Sequence, residues 1–129
     1  MNNSQILQAF NNQFQEFLDD IVRVFPDDMT VAAVVIGLTK MRKINPRLII
    51  IKFKSAVSEK YGEQILAGDL QYFLEKDYNT DISTSSQSDA MLDKIDKLKI
   101  PLANMEKIDK ESVTKYLQNL CKLSNLYTI

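Results

Sequence analysis

The acidic side chains are the residues of this sequence that come closest to a catalytic or metal-binding pattern. They comprise two adjacent pairs and three scattered residues: Asp19, Asp20, Asp27, Asp28, Glu75, Asp77 and Asp81. General acid–base catalysis requires two carboxyl groups that converge on one cavity from different environments. Neighbouring residues on a helix, in contrast, point about 100° apart. We therefore interpret these acids as solvated faces and helix caps, and we predict no metal site among them.

The remaining residue types exclude several classes of enzyme. The sequence contains no histidine and one cysteine, so neither a Ser-His-Asp or Cys-His nucleophile nor a zinc site of Cys and His ligands can form. Its three glycines are too far apart for a phosphate-binding loop. We predict a protein without enzymatic activity, cofactor or small-molecule substrate. Cys121 lies among leucines on a predicted helix face and is expected as a small buried hydrophobic residue.

The basic residues between positions 40 and 60 form the sharpest electrostatic feature of the chain. They are Lys40, Arg42, Lys43, Arg47, Lys52, Lys54 and Lys60. If two helices meet near Asn45-Pro46, several of these side chains cluster at one corner, where they could contact phosphates without reading a base sequence. The whole chain has a net charge of −1, however, whereas nucleic-acid binders usually contain a strongly basic domain. We therefore favour a solvated or protein-facing surface and keep nucleic-acid binding as the alternative.

Composition and periodicity together predict the fold class. The chain has 129 residues, 45% of them hydrophobic and 26% charged, as is usual for one soluble domain. Three glycines and three prolines are too few for a many-stranded sandwich, and apolar residues recur at spacings of three and four. We predict an all-α, single-domain helical bundle of five or six helices. Residues 1–78 form its helical core, residues 79–88 a mobile polar loop, and residues 89–129 the C-terminal helices packed on the same core.

The sequence predicts neither a membrane span nor a secretory signal. Its longest apolar runs, at residues 31–36 and 48–51, are far shorter than the roughly 20 residues that cross a bilayer. The first ten residues lack the basic start and the apolar core of a signal peptide. We expect a cytoplasmic protein.

Capping and breaking residues predict the first helices. The first helix is expected to start with Ser4 as its cap and to stop before Pro26. Asp27 or Asp28 is expected to cap a second helix, from Met29 to about Lys43. This second helix is apolar nearly all round its first half, which predicts that it is the most buried one. Its interior glycine, Gly37, predicts a close helix crossing.

The later helices are predicted from the same kinds of signal. Asn45-Pro46 is expected to start a third helix, although the β-branched residues at 48–53 leave a short strand as an alternative. Gly62 is expected to mark a bend. Asp69 is expected to cap a helix that runs from Leu70 to about Lys76, Pro101 to break the next helix, and Asp109 to cap the last one.

Three segments carry a resemblance to a known group of proteins: FQEFLDDIVRVFPDD at residues 14–28, INPRLIIIKFK at 44–54 and ILAGDLQYFLEKDY at 65–78. Their order resembles small uncharacterised proteins encoded by large DNA viruses of algae and amoebae. The resemblance rests on packing and capping residues and carries over no catalytic or ligand-binding residue. It implies a small helical accessory protein of a large virus, acting in the host cytoplasm or as part of the virion.

These observations favour a structural or interaction protein over an enzyme. The expected partner is a second copy of the chain or another protein. Charge alternates along the sequence, because residues 1–28 carry a net −4, residues 29–60 a net +6, residues 61–93 a net −6 and residues 94–129 a net +3. Such blocks can pair within the fold or between copies of it.

Overall fold

The computed structural model describes residues 2–75 and 90–128, and the regular elements in these ranges are all helical. They are α1 (Asn3–Val24), α2 (Met29–Ile44), α3 (Leu48–Phe53), a π-helical turn (Lys54–Ser58), α4 (Glu59–Leu66), α5 (Leu70–Glu75), α6 (Ala90–Ala103) and α7 (Lys107–Leu126). Because α3, the π-helical turn and α4 follow one another without a break, we call residues 48–66 the central helix. With the central helix counted as one, the described residues form six helices, and the prediction of an all-α bundle is confirmed. The predicted loop at residues 79–88 lies outside the described residues.

The starts of α1 and α2 follow local capping chemistry. Asn2 and Gln5 cap α1 reciprocally: the Asn2 Oδ1 accepts from the Gln5 N–H at 2.9 Å, and the Gln5 Oε1 accepts from the Asn2 N–H at 3.1 Å. The prediction of Ser4 as the cap is therefore wrong, because Asn2 caps the helix two residues earlier and Ser4 already lies in its first turn. Asp28 caps α2 as predicted, with its Oδ1 3.1 Å from the Val31 N–H.

The connection between α2 and α3 differs from the prediction. Asn45 ends α2 by donating its N–H to the Met41 carbonyl at 3.0 Å, and its side chain accepts from the Arg47 N–H. Because Asn45 serves this turn, α3 begins only at Leu48, two residues after Pro46. Residues 48–53 are helical, so the strand alternative is wrong. Helical spacing buries Ile49, Ile50 and Phe53 on the core side, whereas a strand would place Ile49 and Ile50 on opposite faces.

The predicted bend at Gly62 is also wrong, because α4 runs through it as a regular helix. The chain turns at Gly68 instead, whose φ of +86° lies in the left-handed region that glycine adopts without strain. There the Asp69 N–H donates to the Gln64 carbonyl at 2.8 Å and the Gly68 N–H to the Ile65 carbonyl at 3.0 Å, which is a Schellman motif. Asp69 then caps α5 as predicted, through the Tyr72 N–H at 3.1 Å.

Two predictions about the C-terminal helices are wrong. Pro101 lies inside α6 and does not break it. It falls in the last turn, and α6 ends two residues later at Ala103, so few backbone hydrogen bonds are lost. The last helix, α7, begins at Lys107, with Glu106 in the capping position but without a side-chain hydrogen bond. Asp109 is consequently a residue of the first turn and not the cap.

The core gathers aromatic residues from several helices. Phe10 of α1 meets Phe53 of α3 edge to face, with ring centres 5.5 Å apart, and Phe17 lies 5.7 Å from the ring of Tyr116 on α7. Such pairs add roughly 0.5–1.5 kcal/mol to the contribution of area burial. An apolar cavity of about 20 Å³ remains beside these rings, little more than the space of one water molecule. The bundle is thus filled by its own side chains.

The helix α2 is not the most buried one, contrary to the prediction. Val31, Val34, Val35 and Leu38 are buried along one side, whereas the opposite side is open to solvent. At Gly37 the side chain of Lys94 from α6 occupies the space that a Cβ would take, and because this contact is with the end of a flexible lysine, the close helix crossing stays a prediction. The periodicity of α2 shows that most of its sides are apolar, but not how many of them the bundle covers.

Candidate interaction surface

Some side chains of the predicted basic segment donate hydrogen bonds within the fold. The Arg42 Nη2 donates to the Gln15 Oε1 at 3.0 Å, which ties α2 to α1. The Arg47 Nε donates to the Tyr127 hydroxyl at 2.9 Å, and the Lys54 Nζ donates to the Tyr127 main-chain carbonyl at 2.9 Å. Three of the seven residues predicted as partner or phosphate contacts therefore hold helices and residue 127 in place.

The segment that follows α7 is fixed from a second side as well. The Asn3 Nδ2 donates to the Thr128 carbonyl at 2.6 Å, and the Thr128 N–H donates to the Asn3 Oδ1 at 3.1 Å. The side chain of Tyr127 is buried between these contacts. Sequence reasoning missed this role of Arg47 and Lys54, because the partner lies 73 or more positions further along the chain.

The other predicted basic residues do not converge on one site. Lys40 and Lys43 lie exposed on α2, Lys60 lies exposed on α4, and Lys52 is half-buried on α3. Lys52 and Lys60 have further interactions within the fold. The structure thus brings together Arg47 and Lys54, around Tyr127, and leaves Lys40 and Lys43 as neighbours on the outside of α2.

Of the predicted carboxylates, Asp28 caps α2, Asp20 forms an ion pair, and Asp19 and Glu75 accept hydrogen bonds from glutamines of their own helices. Asp20 lies 2.8 Å and Asp109 lies 3.7 Å from the guanidinium of Arg23, between α1 and α7. The hydrogen bond that Arg23 donates to Asp20, together with the negative charge of Asp20, raises the pKa of Arg23 above its ordinary value. Within residues 2–75 and 90–128, no three Cys, Asp or Glu side chains are grouped so that they could hold a metal ion. Asp77 and Asp81 lie outside the described residues.

An open cleft of about 280 Å³ lies beside this ion pair, with Gln13, Tyr116 and Asn119 in its walls. Burial raises the pKa of the Tyr116 phenol, and the nearby charges of Asp20 and Glu16 raise it further. A phenol in this environment stays protonated at neutral pH and is a poor base or nucleophile. Apart from the exposed Lys115, the cleft is lined by groups that are neutral or already paired.

Cys121 is buried, as predicted. It lies beside a hydrogen bond of 2.6 Å between the hydroxyls of Ser58 and Ser124, and the Ser124 hydroxyl donates to the Cys121 carbonyl at 2.9 Å. Burial raises the pKa of the Cys121 thiol, an effect that a hydrogen bond with Ser58 opposes. The protonated thiol is therefore the stable form in the folded protein, and it is neither exposed nor activated as a nucleophile.

The outer side of α2 carries the largest set of exposed apolar side chains on any one described helix. Met29, Ile36 and Ile44 are 85%, 54% and 85% exposed. Their spacing places them within an arc of about 100° around the helix, together with Ala33 and two lysines. We call this surface the α2 strip; it consists of Met29, Ala33, Ile36, Lys40, Lys43 and Ile44, all of them solvent-exposed.

Large exposed hydrophobic residues elsewhere are spread over other helices. They are Leu66 on α4, Tyr72 on α5, Ile100 on α6, and Ile108 and Leu126 on α7. Ile108 and Leu126 lie near opposite ends of their helix. Single exposed hydrophobic residues are common on soluble proteins, whereas a contiguous apolar surface usually marks a binding site. The signal for the α2 strip is only partly present in the sequence: the first half of α2 is predicted to be apolar nearly all round, but Ile44 lies beyond the predicted end of that helix near Lys43.

Comparison of the chain with protein-family models, curated proteins and solved structures found no match. The resemblance to proteins of large DNA viruses consequently stays a prediction. None of the helices within residues 2–75 and 90–128 combines the length and the apolar composition that a bilayer crossing requires.

Proposed function

We propose that this protein is a non-enzymatic interaction module that associates with a second copy of itself through the α2 strip. The observation that carries the proposal is the exposure of Met29, Ile36 and Ile44 on one side of one helix. The buried side of α2 already accounts for its attachment to the bundle through Val31, Val34, Val35 and Leu38. The apolar outer side does not stabilise the bundle while it faces water. Its role is therefore to be buried against a partner.

The size of the apolar surface suits a weak to moderate association. Full burial of a methionine or isoleucine side chain contributes about 1.5–3 kcal/mol. A pair of copies covers six such side chains, and association costs roughly 4–15 kcal/mol in lost freedom of motion. The apolar gain and the cost of association are therefore of similar size, which favours a weak association that requires a high protein concentration. Association of this strength depends on concentration and is accessible to solution measurements.

The basic segment supports a protein partner better than a nucleic acid. Arg42, Arg47 and Lys54 donate to groups within the fold. Lys40 and Lys43, the two lysines of the α2 strip, are flanked by Ile36 and Ile44. Lysine stems pack well at the edge of an apolar contact while their ammonium groups stay hydrated.

Size-exclusion chromatography with light scattering tests the proposal. The wild-type chain, of 14.8 kDa, is expected to show a mass that approaches twice this value at high concentration. Ile36→Glu is expected to stay monomeric, because a charge then lies in the centre of the contact. Leu66→Glu is the matched control, since Leu66 is also exposed but lies on α4. A wild type that is monomeric at every concentration, or an Ile36→Glu variant that associates as the wild type does, overturns the proposal.

The proposal extends to the setting in which the protein acts. On the strength of the resemblance in residues 14–28, 44–54 and 65–78, the chain is an accessory protein of a large DNA virus. It acts in the host cytoplasm, with the virus particle as the alternative location. Mass spectrometry of purified particles and of the cytoplasmic fraction of infected cells distinguishes the two locations. If the protein is detected in neither fraction, this part of the proposal is overturned.

A further inference from the structure

The α2 strip of one molecule is complementary to the α2 strip of a second molecule that runs in the opposite direction. When a second α2 is laid antiparallel over the first with the centre between Ile36 and Gly37, the apolar ends meet, because Met29 of one copy lies opposite Ile44 of the other. Ala33 then lies opposite Lys40, so that a small side chain leaves room for a long one. Thr30, which is also exposed, lies opposite Lys43. No lysine of the strip faces another lysine in this arrangement.

We infer that two copies pack α2 against α2 in an antiparallel, two-fold symmetric contact with Ile36 beside the symmetry axis. This inference rests on the proposed function and adds the arrangement of the partner. A contact of this kind is isologous: each copy contributes the same surface, and the assembly closes at two copies. The opposed helix dipoles favour the antiparallel orientation.

Charge complementarity supports the same orientation. The exposed Asp27 lies just before α2, next to its cap Asp28, and the basic residues Lys40, Arg42 and Lys43 lie in its second half. Measured along the helix axes, antiparallel packing places Asp27 of each copy within about one helical turn of Lys43 on the other copy. Parallel packing would instead place Lys40 against Lys40, Lys43 against Lys43 and Asp27 against Asp27. Like charges in direct contact are destabilising.

Site-specific disulfide formation tests the arrangement. Ile36→Cys is expected to form a covalent dimer under mild oxidation, because residues beside a two-fold axis approach within the roughly 7 Å between Cα atoms that a disulfide tolerates. Ala33→Cys alone is expected to form none, since its copies lie about 10 Å apart along the helix axes. A mixture of Ala33→Cys and Lys40→Cys is expected to give the mixed disulfide. The wild type is the control for Cys121, which is buried and should not cross-link.

The outcomes separate this inference from the proposed function. A dimer by light scattering in which Ile36→Cys does not cross-link overturns the antiparallel arrangement and leaves self-association standing. Efficient cross-linking of Ala33→Cys to itself likewise overturns it, in favour of a parallel contact. A chain that is monomeric by light scattering overturns the proposed function, and the arrangement with it.

Discussion

The ammonium group of Lys54 donates a hydrogen bond of 2.9 Å to the main-chain carbonyl of Tyr127, across 73 positions of sequence. Lys54 belongs to the basic segment for which phosphate contacts are the alternative prediction, and in the structure it holds the end of α7 against the central helix. Arg47 completes the arrangement through the Tyr127 hydroxyl at 2.9 Å. Positive charge at this corner thus stabilises the fold.

The first prediction concerns this hydrogen bond. Lys54→Met keeps most of the side-chain length and removes the donor, leaving the partly buried Tyr127 carbonyl without its partner. The free energy of unfolding is expected to fall by about 1–3 kcal/mol. Urea denaturation followed by circular dichroism measures it. Lys122→Met, at an exposed position of α7, is the matched control and should change stability by less than about 0.5 kcal/mol. Equal stabilities for the two variants would show that the Lys54 contact contributes nothing.

The second prediction concerns nucleic acids. Because Arg42, Arg47 and Lys54 have partners within the fold, the chain is expected to bind duplex or single-stranded DNA no more tightly at low salt than a protein of similar net charge. Fluorescence anisotropy with labelled oligonucleotides over a range of salt concentrations measures this. Tight binding with a steep salt dependence, weakened by Lys52→Glu and Lys54→Glu, would favour the phosphate-binding alternative instead.

The third prediction concerns the thiol of Cys121. Burial raises its pKa, so the folded protein favours the neutral thiol. The stability that this group contributes is therefore fully present below the pKa of the unfolded chain and is lost as the pH rises through the folded pKa. Raising the pH from about 7 to about 10 is expected to lower the free energy of unfolding of the wild type by more than it lowers that of Cys121→Ala. Urea denaturation of both proteins at the two pH values measures the difference, and an equal loss in both would refute the role of the thiol.

The fourth prediction concerns the charges at the ends of α2. Asp27→Lys and Lys43→Asp are each expected to weaken self-association about tenfold, because each creates like-charge contacts at two symmetric places in the dimer. The double variant restores opposite charges across the contact and should recover most of the affinity. Sedimentation velocity of the four proteins at matched ionic strength gives the dissociation constants. A double variant weaker than both single variants would argue against the pairing of Asp27 with Lys43.

Local chemistry accounts for the parts of the fold that the sequence predicts well. Asp28 and Asp69 cap the helices that follow them because each carboxylate reaches an N–H three residues ahead, within one turn. Helical spacing also identifies the buried residues of the central helix. The prediction is wrong where one residue could serve either of two neighbouring elements, as at Asn45. The sequence predicts it as the cap of α3, whereas it ends α2 and stabilises the following turn.

The candidate surface depends on information that periodicity does not contain. An apolar α2 predicts burial, but Val35 is buried and the next residue, Ile36, is exposed, because the other helices cover one side of α2 only. The contacts of Arg47 and Lys54 were missed for a related reason. Their shared partner, Tyr127, is distant in sequence, and only the assembled bundle brings it near.

Sedimentation equilibrium of the wild-type chain tests self-association through the α2 strip most directly. Over loading concentrations from about 1 µM to about 1 mM, the average mass is expected to rise from 14.8 kDa towards twice that value and to stop there, as a closed two-fold dimer requires. A mass of 14.8 kDa throughout, or one that keeps rising beyond the dimer, would contradict it.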